Sequence, residues 1–168
     1  MGQRVSILKR LLSASVLVLA LACAGAPLVA PALPARLPGV PVLSLERRAA
    51  SLAELTRGRP ALVALWATWC TSCSHELTEL DRLQARVGGD ALVVGVAVGE
   101  PFDRVMDFLK PRRLAYAQLV DEEFKLSDAL GTKRVPTTLV VDRQGSVRYA
   151  GGALDAGALA ALRRAIAE

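Results

Sequence analysis

An α/β fold, a central mixed sheet flanked by helices on both faces, is what the order of patterns along this chain predicts. Two observations carry it. Between residues 62 and 130, short apolar runs of strand length alternate with stretches whose apolar residues recur at helical spacing. The chain then closes on two strand-like runs joined by Asp142-Arg143-Gln144-Gly145, followed by one amphipathic helix. Alternation places parallel strands in the first part of the sheet, and the closing hairpin adds antiparallel ones. Residues 41–168 have the size of one domain.

Each element has its own signal. Residues 40–45 read as a short strand. Ser51-Leu52-Ala53-Glu54 has the capping-box pattern of a short helix, and Gly58-Arg59-Pro60 turns the chain. The apolar run 62–66 is a buried strand leading into Trp69-Cys70-Thr71-Ser72-Cys73. The period then changes. Cys73, Leu77, Leu80, Gln84 and Val87 share one helical face, while His75, Glu79, Arg82 and Arg86 share the opposite one. A helix therefore begins at or just after Cys70 and breaks at Gly88-Gly89-Asp90. The valine-rich run 91–98 is a second buried strand, ended by Gly99-Glu100-Pro101. Phe102, Val105, Met106 and Leu109 form a helical stripe that stops near Pro111. Residues 117–120 are a short strand, and 122–130 a short helix ended by Gly131. Residues 137–141 and 146–150 form the hairpin. Asp155 caps a last helix with Leu159, Leu162 and Ile166 facing inward. No internal repeat is present.

The N-terminal region is different in kind. Residues 1–22 have a basic start (Arg4, Lys9, Arg10) and then an uncharged apolar run, the pattern of an export signal. Cys23 follows Leu19-Ala20-Leu21-Ala22, which resembles the lipobox of bacterial lipoproteins and implies a lipid on the Cys23 sulfur. Two alternatives stand beside it: cleavage after Ala24 or Ala26 to a soluble product, or an uncleaved single-span anchor, since residues 11–30 are about long enough to cross a bilayer. Residues 23–40 carry Pro27, Pro31, Pro34 and Pro38 and read as a semi-stiff linker or as an arm packed on the domain. The net charge of +5 includes three basic residues of the signal, so the rest of the chain carries about +2. No basic run interleaved with aromatics occurs, which gives nucleic-acid binding no support.

The chemistry centres on Cys70 and Cys73. At a helix start, residues i and i+3 face the same side, so the two sulfurs can meet. The unpaired amides of a helix N-terminus stabilise a thiolate, the nucleophile of thiol–disulfide exchange. Cys70, at the helix tip, is placed to attack, and Cys73, a turn inward, to resolve the mixed disulfide. A zinc half-site is the competing reading, but it needs two more ligands and only His75 and Cys23 remain. A static structural bridge would close too short a loop to stabilise much. Three cysteines with one in the signal leave one pair, which an oxidising compartment lets cycle.

These motifs together resemble a known family. Trp69-Cys70-Thr71-Ser72-Cys73 after a strand, Val135-Pro136-Thr137-Thr138 further on, and the closing hairpin and helix are similar to the thioredoxin superfamily. Leu65-Trp66-Ala67-Thr68-Trp69-Cys70, Val96-Ala97-Val98-Gly99-Glu100 and Val135-Pro136-Thr137-Thr138-Leu139 resemble its TlpA/ResA-like membrane-anchored thiol–disulfide oxidoreductases. The similarity spans about residues 38–168. It implies a thioredoxin-like fold and a cis peptide before Pro136, which faces the cysteine pair. There the carbonyl and amide of Val135, next to Trp69, can pair with a substrate strand. The sequence departs from thioredoxins at Ala64, where they carry a buried acid, and from the closer group at Thr78, where a proline often stands. With Ala64 unable to take the proton of Cys73, Glu100 is the expected acceptor, acting directly or through one water; a solvated acid before the next helix is the alternative. His75 shares its face with Glu79 and Arg82 and reads as a surface residue.

The expected activity is reduction of protein disulfides outside the cytoplasm, in the bacterial periplasm or on the outer face of the cytoplasmic membrane. Expected substrates are exported proteins, with the haem-binding pairs of apocytochrome c among them. A membrane thiol reductant would restore the cysteines. No cofactor, metal or nucleic acid is expected, and the domain is expected to be a monomer. The other readings are a disulfide-donating oxidase and a non-catalytic metal-delivery module; against the module, the chain beyond the signal offers only Cys70, Cys73, His75 and Met106 as soft or imidazole ligands.

Overall fold

The computed structural model describes residues 34–168; the signal or anchor, Cys23 and most of the linker lie outside the described residues. Twelve elements follow in order: β1 (Pro41–Ser44), β2 (Ala49–Ser51), α1 (Leu52–Leu55), β3 (Ala61–Trp66), α2 (Thr71–Val87), β4 (Leu92–Val98), α3 (Phe102–Leu109), β5 (Ala117–Asp121), α4 (Lys125–Leu130), β6 (Thr137–Val141), β7 (Val147–Gly151) and α5 (Ala156–Ala167). Seven strands form one sheet in the order β2-β1-β5-β4-β3-β6-β7. The central three, β5, β4 and β3, are parallel. β6 and β7 continue antiparallel on one side, and β1 and β2 on the other.

The all-apolar β3 and β4 are central because both their faces are covered, so no alternation survives in their sequence. One apolar cluster joins Cys73, Leu77 and Leu80 of α2, Val105 of α3 and Leu162 of α5 to the sheet. The other joins Leu52 of α1 and Leu126 and Leu130 of α4 to the opposite face. This is the two-faced α/β architecture the sequence predicts.

Local departures have physical reasons. The capping box at Ser51 does not form: its hydroxyl is buried without a hydrogen-bond partner, because residues 49–51 are drawn into β2 beside β1. The helix expected over 122–130 starts at Lys125 instead. The buried Asp121 carboxylate accepts from the backbone N–H groups of Leu126 and Ser127 and so sets the first turn. Residues 122–124 are left as a turn. The N-terminal arm is tied to the domain at its end. Leu37 N–H donates to Gly145 O and Val147 N–H to Ala35 O, at the β6–β7 turn. Among the described residues no helix is long and apolar enough to cross a membrane.

Candidate active site

The cysteine pair sits where β3 ends and α2 begins. Cys70 is the residue before the first turn of α2, with extended backbone angles, and its sulfur accepts from Cys73 N–H at 3.2 Å. The two sulfurs form a disulfide, with Cα atoms 5.3 Å apart. Cys73 is buried in the core, and Cys70, which shows 7 % of its surface, lies nearer the rim. The Ser72 hydroxyl lies 3.5 Å from the Cys70 sulfur. On reduction, the unpaired amides of the first helical turn surround Cys70 and favour its thiolate.

Trp69 stands beside the pair and is 67 % exposed, the one large apolar side chain so exposed among the described residues. The Val135–Pro136 peptide is cis. Thr137 is paired with Leu65 across the β3–β6 ladder, so Pro136 lies at the end of β3 from which the cysteine loop departs. Val135 packs against the apolar cluster that contains both cysteines. Neither its amide nor its carbonyl has a hydrogen-bond partner among the described residues. That leaves backbone groups free for an extended chain laid beside the disulfide.

Glu100 is buried, at 3 % exposure, rather than solvated. Gly99 turns the chain into it with φ of 68°, and the Phe124 ring occupies the space a Cβ there would need. One oxygen of Glu100 accepts from Thr68 N–H at 2.6 Å, and the other from the Thr68 hydroxyl. The carboxylate thus grips the loop two residues before Cys70.

Glu76 is the site residue that the sequence reading missed. It lies one turn beyond Cys73 on the same inner face of α2 and is 7 % exposed. Burial pushes its carboxyl above the usual range, and Glu79 adds to this, while the bond from Leu154 N–H and the nearby Thr138 side chain act the other way. Leu154 N–H donates to it at 2.6 Å. Thr138 is the cross-strand partner of Ala64 on the β3–β6 ladder. The signal was present: Glu76 falls between Cys73 and Leu80 on the apolar stripe. His75 is exposed, as its face predicts. Among the described residues, no three His, Cys, Asp or Glu side chains are grouped to hold a metal.

Beneath α2, Trp66 Nε1–H donates to Gln118 Oε1 at 3.1 Å, and Tyr116 O–H donates to the Leu77 carbonyl. Gly95 leaves the room that the Gln118 amide fills, since a Cβ there would lie 2.3 Å from its oxygen. These contacts brace β3 and the active-site helix.

The profile of the AhpC/TSA family matches residues 33–150. The chain belongs to the AhpC/TSA family. No curated protein sequence matches it. Solved structures do, over nearly their whole length. MTB dsbF is 22 % identical over 81 % of this chain and 98 % of its own, with a TM-score of 0.66. A secreted thiol-disulfide isomerase of Corynebacterium glutamicum is 22 % identical over 79 % and 86 %, with a TM-score of 0.69. The exposed lipoprotein thioredoxin Etrx1 of Streptococcus pneumoniae is 20 % identical over 74 % and 98 %, with a TM-score of 0.64. At that identity they establish the thioredoxin-like fold expected above. On it, the Cys70–Cys73 disulfide at a helix start makes this AhpC/TSA chain a thioredoxin-like thiol–disulfide oxidoreductase.

Proposed function

We propose that the protein reduces disulfides of exported proteins outside the cytoplasm and is held at the membrane by its N-terminal segment. The observation that carries the redox part is the Cys70–Cys73 pair at the α2 N-terminus, between exposed Trp69 and the unpaired backbone of Val135. Location rests on the signal-like residues 1–22 and Cys23, and on the secreted or exposed character named for two fold relatives.

The reaction balances in two exchanges. The Cys70 thiolate attacks one sulfur of a substrate disulfide, forming a mixed disulfide and releasing the other sulfur as a thiolate. The Cys73 thiolate then attacks the Cys70 sulfur. The internal disulfide forms, and the substrate leaves with both thiols reduced. A membrane thiol reductant returns two electrons to the pair. Substrate backbone pairs with Val135 beside Pro136, and Trp69 covers the apolar part of the contact.

Cys73 must lose a proton although burial disfavours its thiolate. Glu76 fits the acceptor's part, because it shares the inner face of α2 with Cys73 and burial raises its carboxyl above the usual range. Glu100, the acceptor expected from sequence, supports the attacking partner by holding Thr68 and the loop that carries Cys70.

Trapping tests the reading. Cys73→Ala should accumulate mixed disulfides through Cys70 with exported proteins, and a Cys-x-x-Cys-His apoprotein among them would establish the cytochrome branch. Alkylation of freshly quenched cells should find the wild-type pair mostly reduced. A pair found oxidised, with no trapped partners, would replace the reductase by a disulfide-donating oxidase. Lipid labelling lost in Cys23→Ser would establish the lipoprotein form, and membrane retention without lipid in the wild type the uncleaved anchor.

A further inference from the structure

The end of the sheet remote from the cysteines carries a second candidate site. β3 is six residues long, roughly 20 Å, and the cysteine loop leaves its C-terminal end. At its other end, Ala61 pairs with Val141, and the β6–β7 turn begins. There a cavity of about 220 Å³ is lined by Arg36, Arg57, Arg143 and Gln144 over the apolar Leu37 and Ala53. Three separate segments build it, and backbone bonds lock them together. Leu37 N–H donates to Gly145 O at 3.1 Å, and Gly58 N–H to Arg143 O at 3.2 Å.

The charge of this cavity is one-sided. No carboxylate lines it. None of the three arginines makes an ion pair among the described residues. The acids nearest in sequence are otherwise engaged or turned elsewhere. Asp142 is buried and taken by Arg148, Ser146 and Gln144. Glu168 lies within ion-pair distance of Arg148, and Glu54 pairs with none of the three. Arg143 is partly fixed, donating through Nη2 to the Ile166 carbonyl at 3.2 Å, which leaves its other N–H groups free to turn to a ligand. Three arginines lining one opening suit a tetrahedral oxyanion, which guanidinium groups grip with paired N–H groups.

We propose that this cavity binds the phosphate of an anionic phospholipid headgroup. The choice of a lipid over a free anion rests on where the chain enters. The described chain begins at Pro34, and Arg36, itself a wall of the cavity, bridges to Ser146 of the β6–β7 turn. Whatever its conformation, the apolar N-terminal segment therefore joins the domain at the arginine end. The attachment point of a tether is thus the arginine end of the domain, and the cysteine loop leaves the opposite end of β3. Binding a headgroup there would turn the cysteine end away from the membrane surface and toward exported substrates. The inference rests on the proposed membrane attachment, not on the direction of electron flow.

The test uses the full chain in vesicles of phosphatidylcholine, in vesicles containing phosphatidylglycerol, and in phosphatidylcholine vesicles with inorganic phosphate at matching concentration. Phenylglyoxal modification is followed at each arginine by peptide mass spectrometry. Phosphatidylglycerol should slow modification of Arg36, Arg57 and Arg143 about fivefold or more, the scale expected for one arginine held at an anionic surface. Arg82 and Arg104, on exposed helix positions elsewhere, should be unaffected. In the Arg57→Gln/Arg143→Gln variant, which retains cysteine turnover, Arg36 should lose its protection. Equal slowing by inorganic phosphate would overturn the lipid assignment in favour of a free anion. No slowing, or uniform slowing of all arginines, would overturn the site. Flotation with phosphatidylcholine alone reads the tether by itself, so loss of attachment and loss of the cavity's ligand are told apart.

Discussion

Glu76 and Asp142 are both buried carboxyls, one beside the cysteine pair and one at the β6–β7 turn, and their surroundings push them in opposite directions. Around Asp142, burial alone would raise the carboxyl. Hydrogen bonds from Ser146 N–H, the Arg148 guanidinium and Gln144 N–H outweigh that and hold it below its usual range. Around Glu76, burial wins, because only Leu154 N–H and Thr138 oppose it and no cation is near. The same side-chain chemistry thus serves structure at one end of the sheet, where every donor is met. At the other it is left able to exchange a proton, where the donors fall short.

The largest effect is expected at the turn. Asp142→Ala should lower stability by about 1–3 kcal/mol, since it strands two part-buried backbone donors and the Arg148 guanidinium, while the reduction rate per folded molecule stays unchanged. Urea unfolding and an insulin-reduction assay read the two quantities. Next, Glu76→Gln should slow exchange roughly 10- to 100-fold and shift the titration of Cys73, with the fold intact. Glu100→Gln should slow exchange by roughly 10-fold through a misplaced Cys70 loop, at the low end of a general-base effect, and leave the Cys73 titration in place. If Glu100→Gln moves that titration and Glu76→Gln does not, the proton goes to Glu100, as the sequence alone suggests.

The smallest effects are in pH dependence, and their signs are opposite. Asp142 has a lowered folded value. Its contribution is full above the unfolded carboxylate range, near pH ~4, and is lost as pH falls through the lower folded value. Glu76 has a raised folded value, so the folded state binds more protons than the unfolded one between the two. Wild type should lose stability relative to Glu76→Gln as pH rises from ~4.3 through the raised value, and the gap should then stay constant. Denaturant midpoints measured from pH 3 to 8 check both. A gap that closes with rising pH would mean that Glu76 is stabilised as an anion and is no proton acceptor.

Much of this was legible in the chain. The step from an unbroken apolar strand to a helical stripe at Cys70 located β3, α2 and the redox pair. Asp155 was legible as a cap, and its carboxylate does accept from Ala158 N–H at 2.8 Å. Glu100 was legible as important through the resemblance. Its grip on Thr68 was not, since the two are 32 residues apart. Ser51 misled, because a capping-box pattern weighs only its own four residues, whereas β2 pairing with β1 claimed them first.

The sequence by itself determined the order of elements, their periods and the pair of thiols at a helix start, all of which depend on neighbours within a turn or a strand. The tertiary structure alone decided which acids would be buried and which cations would converge. Glu76 meets Leu154 across 78 residues. Arg36, Arg57 and Arg143 line one cavity only once the arm and two turns are bonded together. Desolvation and charge clustering act through distance in space, and local periodicity carries no record of that distance.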